Sequence, residues 1–204
     1  MKEAIRNRLL AAAASIAMGA AGVAGYVDTH PSAEVRLAME LGAHFESSGG
    51  HIGTPYVDKL GKGQPLTVCN GVTGPEVVAG RYYTPEDCKR IELPKYLAAE
   101  KAAKRLFKHW GTYNVWVRAS FIDMIYNLGE PAVSGSSMLT LANAGNLAAA
   151  CAQMPRWVYG TVGGQRVVLN GLVDRRQTTG ELCSDWGRDG HFSAGLLARG
   201  EGGA

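Results

Sequence analysis

Glu46, Asp58 and Thr67 put two carboxylates and a hydroxyl on a Gly-rich stretch that follows a short apolar helical pattern. These are the parts needed to protonate a glycosidic oxygen and to direct a water. Hydrolysis of a sugar acetal needs an acid and a base, and little else in the chain could supply both. Glu46 follows Phe45 at the expected end of the helix. There, apolar neighbours can raise a carboxyl pKa toward the working pH and keep the group protonated, as a general acid requires. Each residue also has an ordinary reading. Glu46 could be a solvated helix-end acid, Asp58 a turn residue ahead of Lys59 and Gly61, and Thr67 a β-branched strand position.

The elements that must position them follow from pattern. Pro31 to Phe45 reads as an amphipathic helix with Val35, Leu37, Ala38 and Leu41 inward and Ser32 as N-cap. Ser47 to Gly74 is rich in Gly, Pro and Thr, with extended pieces at Pro55–Val57 and Leu66–Val68, which predicts a β-hairpin or three-stranded patch. Thr84-Pro85-Glu86-Asp87 is a capped helix start, and the helix is expected to run to about His109 with a break at Pro94. Trp116 to Leu128 reads as a buried helix, and Ser137 to Met154 and Gly171 to Leu182 as two more. Gly187 to Ala204 shows no periodicity and is expected to fray.

The N-terminal segment bears on compartment. Lys2, Arg6 and Arg8 precede an uncharged stretch from Leu9 to Val27. As a helix that stretch is about 28 Å long, against about 30 Å of hydrocarbon, and the basic flank keeps the N-terminus cytoplasmic. Alanine and glycine dominate it, so insertion is marginal. A cleaved signal peptide, with Ala-x-Ala-like sites near Ala24, and a permanent anchor are alternatives. The composition favours a third reading, a signal-arrest-release segment that inserts weakly and leaves without cleavage.

With 204 residues and 46% hydrophobic content, the chain can bury one good core. Its 27 glycines point to tight turns and loops. A net charge of +3 suits an anionic wall or membrane surface, and no Lys/Arg run with interleaved aromatics invites nucleic acid. Cys69, Cys88, Cys151 and Cys183 contain no CxxC pair, and the five histidines show no HExxH spacing, so neither metal nor cofactor is expected. Export would make two disulfides. Three pairings are open, and Cys69–Cys88 with Cys151–Cys183, each closing a local loop, is favoured over four buried thiols. No Gly-x-Ser-x-Gly elbow supports a serine hydrolase. Trp110, Trp116 and Trp157 read as core rather than sugar platforms.

Four segments in order carry a family resemblance: Phe45-Glu46 with Tyr56-Val57-Asp58 and Leu66 to Gly74; Tyr83 to Cys88; Ser120 to Gly129; and Gly171 to Arg176 ahead of Glu181-Leu182-Cys183. From Glu34 to Asp185 the chain resembles a phage-type lysozyme of glycoside hydrolase family 24, in the branch of endolysins with a signal-arrest-release segment. It departs from the family pattern at Ser47, where Gly is usual, and at Val72, where His is common. Longer spacings imply insertions around Ser48–Thr54 and Lys59–Gln64.

The resemblance implies an α+β, lysozyme-like fold: a small β lobe beside a mostly helical C-terminal lobe, preceded by an N-terminal apolar helix. Residues 1–28 would be the membrane segment and 29–204 the catalytic domain. It implies hydrolysis of the β-1,4 bond between N-acetylmuramic acid and N-acetylglucosamine in peptidoglycan, with inversion. Glu46 would be the acid, Asp58 the base or charge stabiliser, and Thr67 the ligand of the attacking water. Tyr56, Asn127, Arg175 and Arg176 are the candidate substrate-binding residues. One of the two arginines would support Glu46 by its charge, with an exposed helical arginine as the ordinary alternative. Asp123, Tyr126 and Asn127 could line the groove or form a core helix with a polar edge. The expected partners are peptidoglycan and, through residues 9–27, the host inner membrane before release to the periplasm. The enzyme is expected to be a monomer, with no cysteine before Cys69 to control release. A lytic transglycosylase, which needs Glu46 alone, and a non-catalytic wall-binding protein are the alternatives.

Overall fold

The structure of the protein, a computed structural model, describes residues 1–19, 31–46, 51–58 and 63–184, with the side chains of 14–19 and 46 outside that description. Residues 20–27 of the expected membrane segment, 48–50 and 59–62 of the two expected insertions, and the tail expected to fray lie outside the described residues.

The chain begins with α1 (Glu3–Gly19) and α2 (Ala33–Glu46). Ile5, Leu9 and Ala13 recur at every fourth position of α1 and are buried in the main core, where α1 packs along α2. Burying a side chain such as Leu9 or Ile5 contributes about 1.5–3 kcal/mol. Polar contacts flank the stripe: Arg8 Nε donates to Glu40 at 2.9 Å, Lys2 pairs with Asp174, and the N-terminal amine pairs with Glu181. Ser32 caps α2, its hydroxyl accepting from the Val35 amide at 3.3 Å.

The β lobe is a three-stranded antiparallel sheet of β1 (Tyr56–Val57), β2 (Leu66–Val68) and β3 (Val72–Thr73), in the order β1-β2-β3. Tyr56 faces Thr67 and Thr67 faces Thr73, so these three form one row across the sheet. Val68 and Val72 sit in a second small core with Tyr83 and the Cys69–Cys88 disulfide.

α3 (Pro85–Leu106) starts with the predicted cap. Thr84 Oγ1 accepts from the Asp87 amide and Asp87 accepts from the Thr84 amide, a reciprocal capping box. The expected break at Pro94 does not occur. Pro94 is exposed and so is Arg90, whose carbonyl loses its helical donor on the solvent side, where water can replace it. α4 (Val115–Leu128) is capped by Asn114 and is buried on nearly all sides, as its composition predicts. It lies between α2, α3 and α8 (Asn170–Ser184). Trp116 is fully buried, and Trp110 and Trp157 pack partly buried against the same core.

The segment expected as one helix over Ser137–Met154 is instead α6 (Ser137–Asn143), α7 (Leu147–Cys151) and a 3-10 turn, following a short α5 (Glu130–Ser134). Gly145 at φ +82° and the Asn146 cap interrupt it. A hairpin that pattern reading passed over, β4 (Tyr159–Val162) and β5 (Gln165–Val168), turns through Gly163 and Gly164 at φ +57° and +81°. Two such residues form the two-residue turn that matches strand twist. The disulfides are the favoured local pair, Cys69–Cys88 and Cys151–Cys183, each with Cα atoms 5.5 Å apart. Each closes a loop long enough to contribute roughly 3–4 kcal/mol through loss of unfolded-chain entropy.

Candidate active site

Asp58, next to β1, and Thr67, on the neighbouring antiparallel β2, converge on one atom, Asp58 through its main-chain amide. The Asp58 amide donates to the Pro65 carbonyl at 3.0 Å, and the Thr67 hydroxyl donates to the same oxygen at 3.1 Å. Asp58 extends β1 beyond Val57, whose partner is Leu66, so the antiparallel register brings the two residues together. Asp58 is half-buried and Thr67 is 1% exposed. Tyr56 heads the same row as Thr67 and is exposed.

Asp58 opens onto a cleft of about 520 Å³, lined also by Asn70, Thr73, Tyr126, Asn127 and Glu130. The β lobe, α3 through Lys95, Ala98, Ala99 and Ala102, and the end of α4 all line it, so Asp58 and Asn127 face one space. Glu46 is the last residue of α2; its side chain lies outside the described residues. A second cavity of about 500 Å³ lies between α1, α2 and α3 and shares Asn70 with the first.

Arg175 and Arg176 are not exposed helical charges. They are 2% and 0% exposed and converge on Asp123, itself fully buried on α4. Arg175 Nη2 donates to Asp123 at 2.6 Å, Arg176 Nη1 at 3.4 Å and Thr179 Oγ1 at 3.2 Å. Arg176 also donates to the Asn127 side-chain oxygen and, at 3.4 Å, to the Trp157 carbonyl. The pair thereby reaches the cleft through Asn127. Asp123 is the polar core of α4 rather than a groove residue, whereas Tyr126 and Asn127 line the cleft.

Pattern reading missed Asn70 and Glu92. Glu92 is 2% exposed and accepts from the Asn70 amide and from Asn70 Nδ2, both at 3.0 Å. The available signal was its helical spacing from Cys88, which places it on the face that meets the β lobe. Tyr96 lies in the same region, stacked on Tyr126 with ring centroids 3.9 Å apart. Burial first, then the neighbouring Tyr126, raises its pKa well above the ordinary phenol value. His44, near the end of α2, is held below the ordinary imidazole value by burial and then by Arg8 and Lys2. Cys69, Cys88 and Glu92 cluster closely enough to suggest a metal group, but both sulfurs are committed to the disulfide and cannot ligate as thiolates.

The family model described as Phage lysozyme matches residues 46–179. The chain belongs to the phage lysozyme family. The SAR-endolysin of Bacteriophage PS119 is 29% identical over 92% of this chain and 98% of its own length. That of Enterobacteria phage P21 is 31% identical over 87% and 95%. The fold is shared with the endolysin from Escherichia coli O157:H7 phage FAHEc1, at TM-score 0.66 and 22% identity over 78% of this chain and 95% of that one. It is shared too with the active form of P1 phage endolysin Lyz, at TM-score 0.60 and 21% identity over 85% and 92%. The α+β lysozyme-like architecture expected from the motifs is the one present. This phage lysozyme is a muramidase of the endolysin type, acting on the β-1,4 bonds of peptidoglycan and lysing the host cell.

Proposed function

We propose that Glu46 is the general acid of this muramidase, Asp58 the base and Thr67 the residue that orients the water. Glu46 protonates the glycosidic oxygen as its bond to the sugar carbon breaks. A water held by Thr67 adds from the opposite face and gives its proton to Asp58, so the anomeric centre inverts. Such a geometry needs the two carboxyls about 6.5–9.5 Å apart, with room for the water between them. The convergence of the Asp58 main-chain amide and the Thr67 hydroxyl on the Pro65 carbonyl, with Asp58 lining the cleft, carries this reading. Asn127 and Tyr56 would contact the glycan, and Arg175 and Arg176 would act from beneath, through Asn127.

Glu46→Gln is expected to abolish clearing of purified cell walls, and Asp58→Asn and Thr67→Ala to lower kcat by a factor on the order of 10² or more. Proton NMR of fresh products should show the α anomer first. A Glu46→Gln protein that still clears walls sinks the assignment, and 1,6-anhydro ends in place of reducing ends would make the enzyme a transglycosylase.

We further propose that residues 1–28 form a signal-arrest-release segment ahead of a catalytic domain, 29–204. Residues 9–27 hold the new protein at the host inner membrane, N-terminus in the cytoplasm, before release to the periplasm as a monomer. The SAR-endolysin relatives, matched over nearly their whole length, support this. Among the described residues no helix is long and apolar enough to cross a membrane, and the apolar stripe of α1 packs along α2. An intact mass of the periplasmic form equal to the full chain is expected; loss of about two dozen residues would mean a cleaved signal peptide.

A further inference from the structure

Three consecutive positions on one face of α3 are tied to three positions around the β2–β3 turn. Cys88 is joined to Cys69. Four residues on, Glu92 holds Asn70 through two hydrogen bonds of 3.0 Å. Three residues further, Lys95 Nζ donates to the Thr73 carbonyl at 3.2 Å and pairs with Glu76 at 2.7 Å. Positions separated by four and then three residues lie on one helical face, so the three ties form a ladder with Glu92 as its middle rung. Asn70 is held from the other side as well, since Tyr126 Oη of α4 donates to its carbonyl at 2.8 Å. The main-chain amide and carbonyl and the side-chain amide of Asn70 are thus bound by residues of two different helices.

We propose that Glu92 is a positioning residue for catalysis: through Asn70 it fixes the β2–β3 turn, and with it the sheet that carries Thr67 and Asp58, against the α4 wall of the cleft. This rests on the roles assigned to those two residues above. Asn70 lies three residues beyond Thr67 and lines the same cleft as Asp58 and Asn127. Glu92 is not among the residues lining that cleft, and its two bonds to Asn70 reach it through the turn. The disulfide holds one end of the turn at Cys69 but makes no contact with the amide and side chain of Asn70 that follow it. The bidentate carboxylate fixes that part of the turn, because both of its oxygens are engaged by one residue. Removing the acid leaves the Asn70 amide and Nδ2 without their acceptors, which destabilises the fold by itself, so turnover and folding must be read separately. Its positioning effect is the change in turnover of the folded protein, over and above that loss of stability.

The test uses the full-length protein and soluble, uncross-linked glycan strands, with release of reducing ends as the rate. Glu92→Met, which removes both acceptors at similar volume, is expected to lower kcat about tenfold, since displacements near 1 Å at a reacting centre have effects of this size or larger. KM should change less than about twofold, with the rate taken per folded molecule below the Tm of each variant. Glu92→Gln should restore the rate, because its amide can meet Asn70 with one acceptor and one donor once the Asn70 amide turns over. Tyr126→Phe, which deletes the bond from α4 to the Asn70 carbonyl, should lower kcat in the same direction and keeps the test alive if Glu92→Met does not fold. Wild-type kcat in both Glu92→Met and Tyr126→Phe, or a loss in Glu92→Met that vanishes when the rate is expressed per folded molecule or is not recovered in Glu92→Gln, overturns the proposal. Wild-type kcat in Asp58→Asn and Thr67→Ala would instead remove the site assignment on which it rests.

Discussion

Asp123 shows how much one side chain can be required to do. It is fully buried and accepts from Arg175, Arg176 and Thr179. Removing one partner of a buried ion pair leaves the others desolvated, which costs about 3–5 kcal/mol. Asp123→Ala is therefore expected to lower the urea-unfolding free energy by about that amount, whereas Lys2→Ala, which breaks an exposed pair with Asp174, should change it by under about 1 kcal/mol. This residue was half legible in the sequence. A lone acid in the apolar run from Val115 to Ile125 must find a partner if the helix is buried, and the adjacent Arg175-Arg176 supplies one. What no spacing shows is that the two arginines lie under the cleft rather than in solvent, because that depends on α4 and α8 packing face to face. Asp58 and Thr67 were legible as residue types, but their meeting at the Pro65 carbonyl needed the strand register.

At the level of elements, the approach of α3 to α2 is set by a glycine. A Cβ on Gly42 would lie 1.8 Å from Tyr96 Oη, so any larger residue there must push α3 away. The Tyr96 hydroxyl is buried and, among the described residues, has no hydrogen-bond partner, which costs about 1–3 kcal/mol. Tyr96→Phe is thus expected to raise Tm slightly. Gly42→Ala should lower it by several degrees, and the double variant should recover part of the loss, a non-additivity expected of contacting residues. An additive pair in thermal melts would show that the contact does not govern the helix approach. The same scale explains which elements pattern could foresee. Local signals such as the Thr84 cap and the Gly163-Gly164 turn are sufficient in themselves, although the second was passed over. The continuity of α3 through Pro94 and the splitting of Ser137–Met154 depend on which side of the chain meets water, and that is a tertiary property.

In the whole molecule, α1 adds its apolar stripe to a core that α2, α4 and α8 already share, while the β lobe keeps a small core of its own. Sequence pattern foresaw both lobes and their order. It could not foresee that the N-terminal helix would be covered by α2, since its alanines and glycines suit a thin bilayer contact and a close helix contact equally. The β lobe, with so few buried side chains, depends on its attachment to α3 by Cys69–Cys88. The attachment brackets an exposed loop containing Val78, Gly80, Arg81 and Tyr82. A protease that cuts after Arg81 would therefore leave two polypeptides that migrate as one until a reductant is added. In non-reducing gels the nicked enzyme should keep its size and much of its lytic activity. After thiol treatment it should fall into pieces ending at Arg81 and beginning at Tyr82, with lysis lost. Loss of activity on nicking alone would mean that the loop, and not the covalent tie, holds the lobe in place. Under digestion in an oxidising compartment, the cross-link acts as insurance for the lysin against its own surroundings.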